Sequence, residues 1–455
     1  MTCFAGRSLA SCVIALSIAM AAAPAGARID ATTLIIPPEK HTLGIYRATN
    51  FHLKLFTGPK SRFQNPQGLA CVKLASLDDP ARIGDDDELT VYGVNADEPS
   101  IIYNDSMTSV KIWRGPMRAP RGIAADALGR VVVADTGNDR LLFLENDRGK
   151  LQLKATAGAS GAGPREFREP TGVALDSRGR VYVADTGNNR IQILDRAGQF
   201  VSEFGRASGG VAGAPTLLAP TAIAVVDRDE RWSQRKTDRV VVADRGGRRL
   251  QVFTPAGELL HAFADTTRDG LSFAYVALDY HDNVYATDTR RSQIHKFDSS
   301  LNWVASFGQR GDGDGEFDAP TGIAIWRRLG QFFIAEATGA QYYWLGTDLR
   351  DVRAQPLVLA SGAEQSLSYT LTERSIVDID LLDRDDRVVR SIAHQAYQEI
   401  GAQRTRWDCR SDGGVDLAPG AYRVRIGAVA TYSSRKHFRC ERVVPFEVRA
   451  VERGS

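Results

Sequence analysis

Acidic side chains recur at one position of a repeated pattern, and they are the residues of this sequence best placed for chemistry. Each ends a short apolar run and precedes a turn sequence: Asp135, Asp185, Asp244, Asp288 and Glu336. An arginine follows three of them after five residues, at Arg140, Arg190 and Arg249. Each acid either caps its own turn and pairs with the arginine, or joins the others in a polar ring that holds a ligand or a cation.

Catalytic groups of other kinds are sparse. The seven histidines form no zinc-binding pattern, and only His281 falls near an innermost predicted strand. No nucleophile-elbow motif, phosphate-binding loop or Cys–His pair occurs. Residues 312–316 resemble the start of a calcium loop, but Ile323 stands where the loop needs a bidentate acid. Oxygen ligands are nevertheless plentiful, so the sequence is compatible with calcium and indicates no other cofactor.

Internal repeats in the sequence show that these acids occupy equivalent positions. Residues 119–140 and 169–190 align without a gap at an offset of 50 residues. Both contain Pro-x-Gly before a short apolar run, then Val-Ala-Asp-Thr-Gly-Asn and an arginine. Weaker copies begin at four further places, which makes six units in all: Pro66, Pro220, Tyr275 and Pro320.

Each unit is predicted to form four antiparallel strands. In the second full copy these span residues 172–175, 181–184, 191–194 and 200–204. The turns between them are rich in Asp, Asn and Gly, which tolerate tight backbone conformations. Six such units predict a six-bladed β-propeller over residues 42–356, with the first strand of each blade nearest the axis. Residues 52–56 are predicted to form an outer strand that completes the last blade.

The direction of the strands decides which loops share a face. In an up-and-down blade, the turn after the second strand lies on the same face as the linker into the first strand. We therefore expect the five acids to surround one mouth of the central channel, close to the Pro-x-Gly segments. The mixed-charge insert at 227–239 is expected on the opposite face.

The Pro-x-Gly segment and the Val-Ala-Asp-Thr-Gly-Asn motif with its arginine resemble NHL repeats. The resemblance covers residues 42–356 and is closest in the copies around Asp135 and Asp185. It implies an all-β propeller of a type that includes binding proteins and metal-dependent enzymes. Peptide-amidating lyases are similar in repeat type but need histidines on inner strands. Lactonase-type propellers use Glu, Asn and Asp to hold calcium, and those residue types are present here.

The C-terminal residues 361–450 are predicted to form a second, Ig-like β-sandwich with alternating strands. Trp407-Asp408, followed by Gly413-Gly414 and by Ala418-Pro419-Gly420, resembles the Ig-like module of flagellar hook-capping proteins. That pattern has glycine where Cys409 stands. Such modules usually act as connectors or docking units.

Cysteine usage supports an export hypothesis. Cys409 and Cys440 lie in the same C-terminal module, so we expect them to form a disulfide in an oxidising compartment. Cys71 follows an apolar stretch and is interpreted as a free core thiol. An alternative for the C-terminal pair is two unpaired thiols.

The N-terminus has the features of a cleaved signal peptide at residues 1–27, followed by a leader at 28–41. Arg7 is the only charged residue of the first 27, so the net charge falls from +2 to +1 after cleavage. A near-neutral chain has no global attraction to nucleic acid, and no transmembrane segment is predicted after cleavage. We expect an exported protein, periplasmic or extracellular; the sequence does not indicate its oligomeric state.

The absence of a catalytic pattern favours a binding or scaffold protein that presents a propeller surface to a protein or glycan ligand. The alternative is a calcium-dependent hydrolase or lyase of the lactonase-like, six-bladed type, using the ring acids. Fold alone does not decide between these functions.

Overall fold

Short runs of Val, Ile and Ala, separated by Asp-, Asn- and Gly-rich turns, form β-strands throughout the computed structural model. The structure describes residues 33–37, 45–76, 89–106, 109–206, 216–266 and 270–450. The predicted signal peptide lies outside these residues, as does most of the leader. No helix in the described part of the chain is long and apolar enough to cross a membrane.

Two short strands and one helix precede the first repeat. They are β1 (Leu34–Ile35), β2 (Arg47–Thr49) and α1 (Asn50–Thr57). The prediction of a strand at 52–56 was wrong, because these residues lie in α1. The N–H of Thr49 donates to Nδ1 of His52 at 3.2 Å, a contact that starts a helix rather than extending a strand.

Six antiparallel sheets follow, one for each predicted unit. The first two contain β3 (Pro66–Lys73), β4 (Leu89–Asn95), β5 (Ser100–Ser106) and β6 (Ser109–Trp113), then β7 (Ile123–Ala125), β8 (Arg130–Asp135), β9 (Arg140–Asp147) and β10 (Lys150–Ala157). A short parallel ladder, β11 (Ala159–Ser160) with β12 (Glu166–Phe167), leads into the third. The third sheet contains β13 (Pro170–Leu175), β14 (Val181–Asp185), β15 (Arg190–Leu194) and β16 (Phe200–Phe204). The strands predicted for this copy are confirmed.

The remaining repeats keep the same order of strands. The fourth and fifth sheets contain β17 (Pro220–Val226), β18 (Arg239–Asp244), β19 (Arg249–Phe253) and β20 (Leu259–Ala264), then β21 (Phe273–Leu278), β22 (Val284–Asp288), β23 (Gln293–Phe297) and β24 (Trp303–Phe307). The sixth contains β25 (Ile323–Trp326), β26 (Gln331–Glu336) and β27 (Gly339–Leu345). Single 3-10 turns lie at Thr136–Asn138, Thr186–Asn188 and Ser433–Lys436.

The N-terminal strands complete the sixth sheet. Both β1 and β2 pair antiparallel with β27, with Leu34 opposite Leu345 and Arg47 opposite Gln341. Completion by an N-terminal strand was therefore predicted correctly, but from the wrong residues. Because β1 falls within 28–41, part of the predicted leader belongs to this sheet.

The first strands of the sheets contact one another in a cycle. β3 contacts β7, and the contacts continue through β13, β17, β21 and β25 back to β3. Glycine makes this approach possible: a Cβ on Gly122 would lie 2.3 Å from the carbonyl oxygen of Thr171, and one on Gly322 would lie 2.1 Å from that of Gln67. Neither position can hold a side chain without moving the backbone of the next sheet.

Threonine hydroxyls reinforce the same junctions. The Oγ1 atoms of Thr136, Thr186 and Thr321 each donate to the carbonyl oxygen of a residue in the next sheet at 2.7 Å. The acceptor is the proline of the Pro-x-Gly segment in all three cases: Pro170, Pro220 and Pro66. The repeated motif residues therefore join neighbouring sheets as well as shaping their own turns.

The C-terminal strands form two further sheets around one buried core. A three-stranded sheet has the order β28 (Leu349–Gln355), β30 (Glu364–Leu371), β33 (Gly401–Asp408). A five-stranded sheet has the order β29 (Val358–Ala360), β35 (Cys440–Arg449), β34 (Gly420–Ala430), β31 (Ser375–Leu382), β32 (Val388–Gln398). Since β28 pairs with β30, this module begins near Leu349 and not at 361, so the predicted limits 42–356 and 361–450 need correction.

A buried ion pair fixes the C-terminal module to the fifth sheet. Lys296 in β23 pairs with Glu373, which follows β30, and both side chains are 0% exposed. Glu373 also accepts hydrogen bonds from Tyr285 at 3.2 Å and Asn283 at 3.3 Å. Tyr432 of the module joins the apolar core of the fifth and sixth sheets. The C-terminal module therefore packs against the fifth and sixth sheets through a hydrogen-bonded ion pair and an apolar contact.

The predicted disulfide between Cys409 and Cys440 is absent, because both residues are free and buried. The N–H of Cys409 bonds the carbonyl of Ala363, beside the start of β30. The Sγ of Cys440 lies 3.3 Å from Asp348, beside the opposite end of that strand. A separation of roughly 20 Å follows from the strand rise, whereas a disulfide needs Cα atoms within about 7 Å. Cys71 is also free, as predicted.

Thiol labelling tests this correction. Burial raises the pKa of Cys409 and Cys440 to about 11, so few thiolates exist at pH 8. We expect iodoacetamide to label both slowly in the folded chain and fully in denaturant without any reductant. Peptide mapping by mass spectrometry gives the answer; labelling of these two cysteines only after reduction would restore the disulfide.

Replacing the junction glycine tests how the sheets close. We expect Gly322→Ala to lower the free energy of unfolding by about 2 kcal/mol, because the added methyl overlaps the backbone at Gln67. Gly413→Ala is the matched control, since its nearest neighbour would be the Ser411 hydroxyl at 3.7 Å. Denaturant titration followed by circular dichroism measures both; equal stability of the two variants would contradict the close approach.

Candidate functional site

Three of the predicted site acids clasp two separate pieces of chain. Oδ1 of Asp135 accepts the N–H of Arg118 at 2.7 Å, and Oδ2 accepts Nε of Arg140 at 2.8 Å. Asp185 does the same with the N–H of Arg168 and the side chain of Arg190. Asp244 binds the N–H of Leu218 and Nε of Arg249, both at 2.7 Å. Each carboxylate therefore holds the linker into a first strand against the turn after the second strand.

The other two acids make variants of the same clasp. Asp288 accepts backbone N–H groups of Arg290 at 2.9 Å and Arg291 at 3.2 Å, and lies 3.5 Å from Nε2 of His295. Glu336 accepts the N–H of Asp318 at 3.0 Å and Nε2 of Gln341 at 2.9 Å. All five acids are between 0% and 4% exposed. Each of the five carboxylates is therefore occupied by hydrogen-bond donors of its own repeat.

The protonation of these acids follows from their surroundings. Burial favours the neutral form of Asp288, but the His295 imidazole and the backbone N–H groups outweigh it and hold its pKa at about 2. Burial dominates at Asp244 and raises its pKa, although Arg249 and the N–H of Leu218 oppose the change. Burial lowers the pKa of His295, and Asp288, 3.5 Å from its Nε2, opposes that change.

Other residues line the mouth at the axis. A cavity of about 130 Å³ is bounded by Gln67, Arg121, Thr171, Thr221, Arg245, Ala274, Tyr275, Thr289 and Thr321. None of the five acids is among its lining residues. Most of the lining side chains are the middle residue of a Pro-x-Gly segment or of its equivalent. The sequence analysis missed these residues because it considered only the positions that are identical between repeats. The residue between the proline and the glycine differs from repeat to repeat and lies beside the predicted innermost strand, and that position was the available signal.

Tyr275 narrows this mouth. By register it occupies the glycine position of its repeat, since Phe273 faces Asp288 as Pro170 faces Asp185. Its hydroxyl donates to Oε1 of Gln67 across the opening at 3.2 Å. Burial raises the pKa of the Tyr275 phenol well above its usual value, so the hydroxyl stays protonated as a donor.

Exposed arginines lie on the same face, and two of them, Arg121 and Arg245, line the mouth cavity. We call Arg118, Arg121, Arg168, Arg245 and Arg290 the mouth arginines; all five are exposed. They belong to the Pro-x-Gly linkers or to the turns after second strands, so they share one face. Their guanidinium groups make no ion pair or hydrogen bond with another described residue. The face therefore combines buried, satisfied acids with exposed, unpaired cations.

Metal-binding geometry is not evident in the described ranges. They contain no group of three or more His, Cys, Asp or Glu side chains that could hold a metal ion. His281, the histidine closest to an innermost strand, contacts Gln234 and Thr431 at the junction with the C-terminal module. Its ring nitrogens are thus used in structural contacts.

Asp288 offers a pH test of the clasp. Its pKa of about 2 lies below the ordinary 3.8, so it stabilises the fold above pH 4, and this contribution is lost as the pH falls towards 2. We expect Asp288→Asn to cost about 2 kcal/mol at pH 6 and progressively less at pH 3. Asp385→Asn, at an exposed turn, is the control. Denaturant titrations at both pH values decide; a cost of Asp288→Asn that does not change with pH would argue against the clasp.

Comparisons with known proteins agree with the repeat pattern. The NHL repeat model matches residues 167–194, which include β13, β14 and β15. No curated protein matches the chain. Solved structures similar to the chain include a streptogramin B lyase, with 12% identity over 63% of this chain and 95% of the other and a TM-score of 0.43.

Two further similar structures differ in their described roles. A gluconolactonase from Xanthomonas campestris has 14% identity over 72% of this chain and 99% of its own, with a TM-score of 0.46. A nidogen/laminin complex has 18% identity over 54% of this chain and 80% of the matched chain, with a TM-score of 0.40. The chain is therefore an all-β protein that contains an NHL repeat at residues 167–194, within a series of sheets whose first strands contact one another in a cycle.

Proposed function

We propose that this protein is an exported, non-catalytic binding scaffold whose propeller presents the mouth face to an acidic protein or glycan. The observation that carries this proposal is the division of charge on that face. The acids that a propeller hydrolase would use are buried in clasps, while five arginines remain exposed and unpaired. Donor groups without a base or a nucleophile beside them are suited to binding rather than to turnover.

The architecture we propose is a six-bladed propeller followed by an Ig-like sandwich. Six repeated sheets with cyclic contacts between their first strands support the blade number. Two packed sheets, with the Trp407-Asp408 segment at the end of β33, support the Ig-like assignment. The module is joined to the face opposite the mouth, which leaves the mouth arginines open to a partner. Export rests on the signal-like residues 1–27.

Calcium-dependent hydrolysis is the alternative. It would require several oxygen ligands to converge at the mouth with free lone pairs. Asp135, Asp185 and Asp244 instead direct both carboxylate oxygens to backbone and arginine donors of their own repeats. To bind calcium they would have to release these backbone and arginine donors, of which Arg190 is buried, and this favours the binding hypothesis.

The kind of partner follows from the groups that remain. Exposed guanidinium groups attract carboxylates and other oxyanions and can bind them in bidentate geometry. Beside them lies the hydroxyl of Thr289, which suits a hydroxyl-rich polymer. The cavity is small, so we expect a surface contact over the mouth and not a deeply enclosed ligand.

A charge-reversal experiment tests the proposal. Polygalacturonate serves as the acidic glycan, and dextran as its neutral counterpart. We expect the full chain without residues 1–27 to bind polygalacturonate but not dextran, and to lose affinity as salt increases. The double variant Arg121→Glu/Arg245→Glu should bind at least about tenfold more weakly.

Arg384→Glu/Arg387→Glu is the matched control, because both arginines are highly exposed on a turn of the C-terminal module. It should bind as the unmodified chain does. Equal losses in the two double variants would refute a specific mouth site. Turnover of a lactone panel that disappears in Asp288→Asn, at a pH where that variant is folded, would instead establish the enzymatic alternative.

A further inference from the structure

A larger polar cleft lies on the opposite face, between the propeller and the C-terminal module. Its volume is about 810 Å³, which is in the range of small-molecule sites. Its walls are formed by the insert before β18, β20 of the fourth sheet, turns of the fifth sheet, the residue before β31 and the link between β32 and β33. Its ionisable lining residues include Arg235, Arg239, His261, Asp298, Arg374 and Glu399.

The acids of the cleft already have partners. Asp238 binds Arg228 at 2.6 Å, and this pairing lowers the pKa of Asp238. Glu399 lies 3.1 Å from Nε of Arg374. Asp298 accepts N–H groups of Ser300 at 2.8 Å and Asn302 at 2.9 Å within its own turn. Asp238 and Glu399 are thus paired with arginines, whereas Asp298 makes only neutral hydrogen bonds and acts on Arg239 electrostatically from a greater distance.

Arg239 is the cation left without an acid. It is 8% exposed, it donates to the carbonyl oxygen of Ser299, and no carboxylate of a described residue lies within 4.0 Å. Burial lowers the pKa of its guanidinium and the charge of Arg235 lowers it further, only partly opposed by the more distant Asp282 and Asp298. A buried guanidinium with one carbonyl partner retains donors that need an acceptor.

Two neighbours extend this donor surface. Arg235 is exposed, and its guanidinium makes no hydrogen bond or ion pair with a described residue. His261 is half-buried; burial and the positive charge of Arg239 lower its pKa, so it is neutral near pH 7. A neutral imidazole in the same cleft as two guanidinium groups can donate to or accept from a polar ligand without adding charge.

We propose that this cleft is a binding site for a sugar-sized polar molecule that carries a carboxylate or a phosphate, with Arg239 as its buried anchor and Arg235 at its rim. Both acid groups present the oxygen pair that a guanidinium binds in bidentate geometry. Arg374 and Glu399 belong to the C-terminal module, whereas Arg239 belongs to the propeller. A bound ligand would therefore contact both parts of the chain.

Titration calorimetry with the full chain lacking residues 1–27 tests the site, with glucuronate, glucose 6-phosphate and glucose as probes. We expect one or both acidic sugars to bind and glucose to give no heat. Comparing the two acidic probes tells whether a carboxylate or a phosphate is preferred. No heat from either acidic sugar at millimolar concentration overturns the proposal.

Variants locate the binding. Arg239→Gln and Arg235→Gln should each weaken it at least about tenfold; Arg235 is exposed and uncommitted, so its replacement serves if the buried variant fails to fold. Arg384→Gln is the control and should change nothing. The mouth variant Arg121→Glu/Arg245→Glu should retain this binding, which separates the cleft from the proposed mouth function. Unchanged affinity in both Arg235→Gln and Arg239→Gln would exclude the cleft.

Discussion

A buried carboxylate that holds two pieces of chain together is the interaction on which each repeat depends. Burying an aspartate is unfavourable unless its oxygens accept several hydrogen bonds. Asp185 meets that condition with a backbone N–H of the preceding linker and with the side chains of Asn188 and Arg190. The linker is thereby fixed at the point where it enters β13, and the turn is fixed where it leaves β14. The arginine is itself 1% exposed, so the acid and the base require one another.

Because the linkers are fixed, the innermost strands of neighbouring sheets approach so closely that only glycine fits at the contact. Each residue of the Pro-x-Gly segment has its own structural role. The proline carbonyl accepts a hydrogen bond from a threonine hydroxyl, and the glycine permits the close approach of the next sheet. The middle residue differs most between the repeats and lines the mouth, although Thr321 at this position also donates to Pro66. The repeated acids are therefore used in structural hydrogen bonds, and residues such as Arg121 and Thr221 determine the chemistry of the mouth surface.

A second buried charge organises the other face. Lys296 and Glu373 are fully enclosed, and Tyr285 and Asn283 satisfy the remaining oxygen positions of Glu373. Removing one partner of such a pair would leave an isolated charge in the interior, so the pair favours a single docking position. That position places Arg374 opposite the insert before β18 and creates the cleft beside Arg239. The Lys296–Glu373 pair thus positions the C-terminal module and, by doing so, forms the proposed anion site.

The sequence by itself determined the features that depend on local patterns. Short apolar runs between Asp-Gly turns predicted the strands around Asp185, and repetition predicted six equivalent sheets, because alternation and turn chemistry act within a few residues. Tertiary structure decided whatever depends on contacts distant along the chain. The helix α1 replaced a predicted strand because β2 already pairs with β27. Cys409 and Cys440 share a core but lie at opposite ends of β30, and the pairing of β28 with β30 moved the module boundary. The cleft arises from segments more than a hundred residues apart, whose meeting depends on packing and not on any local pattern.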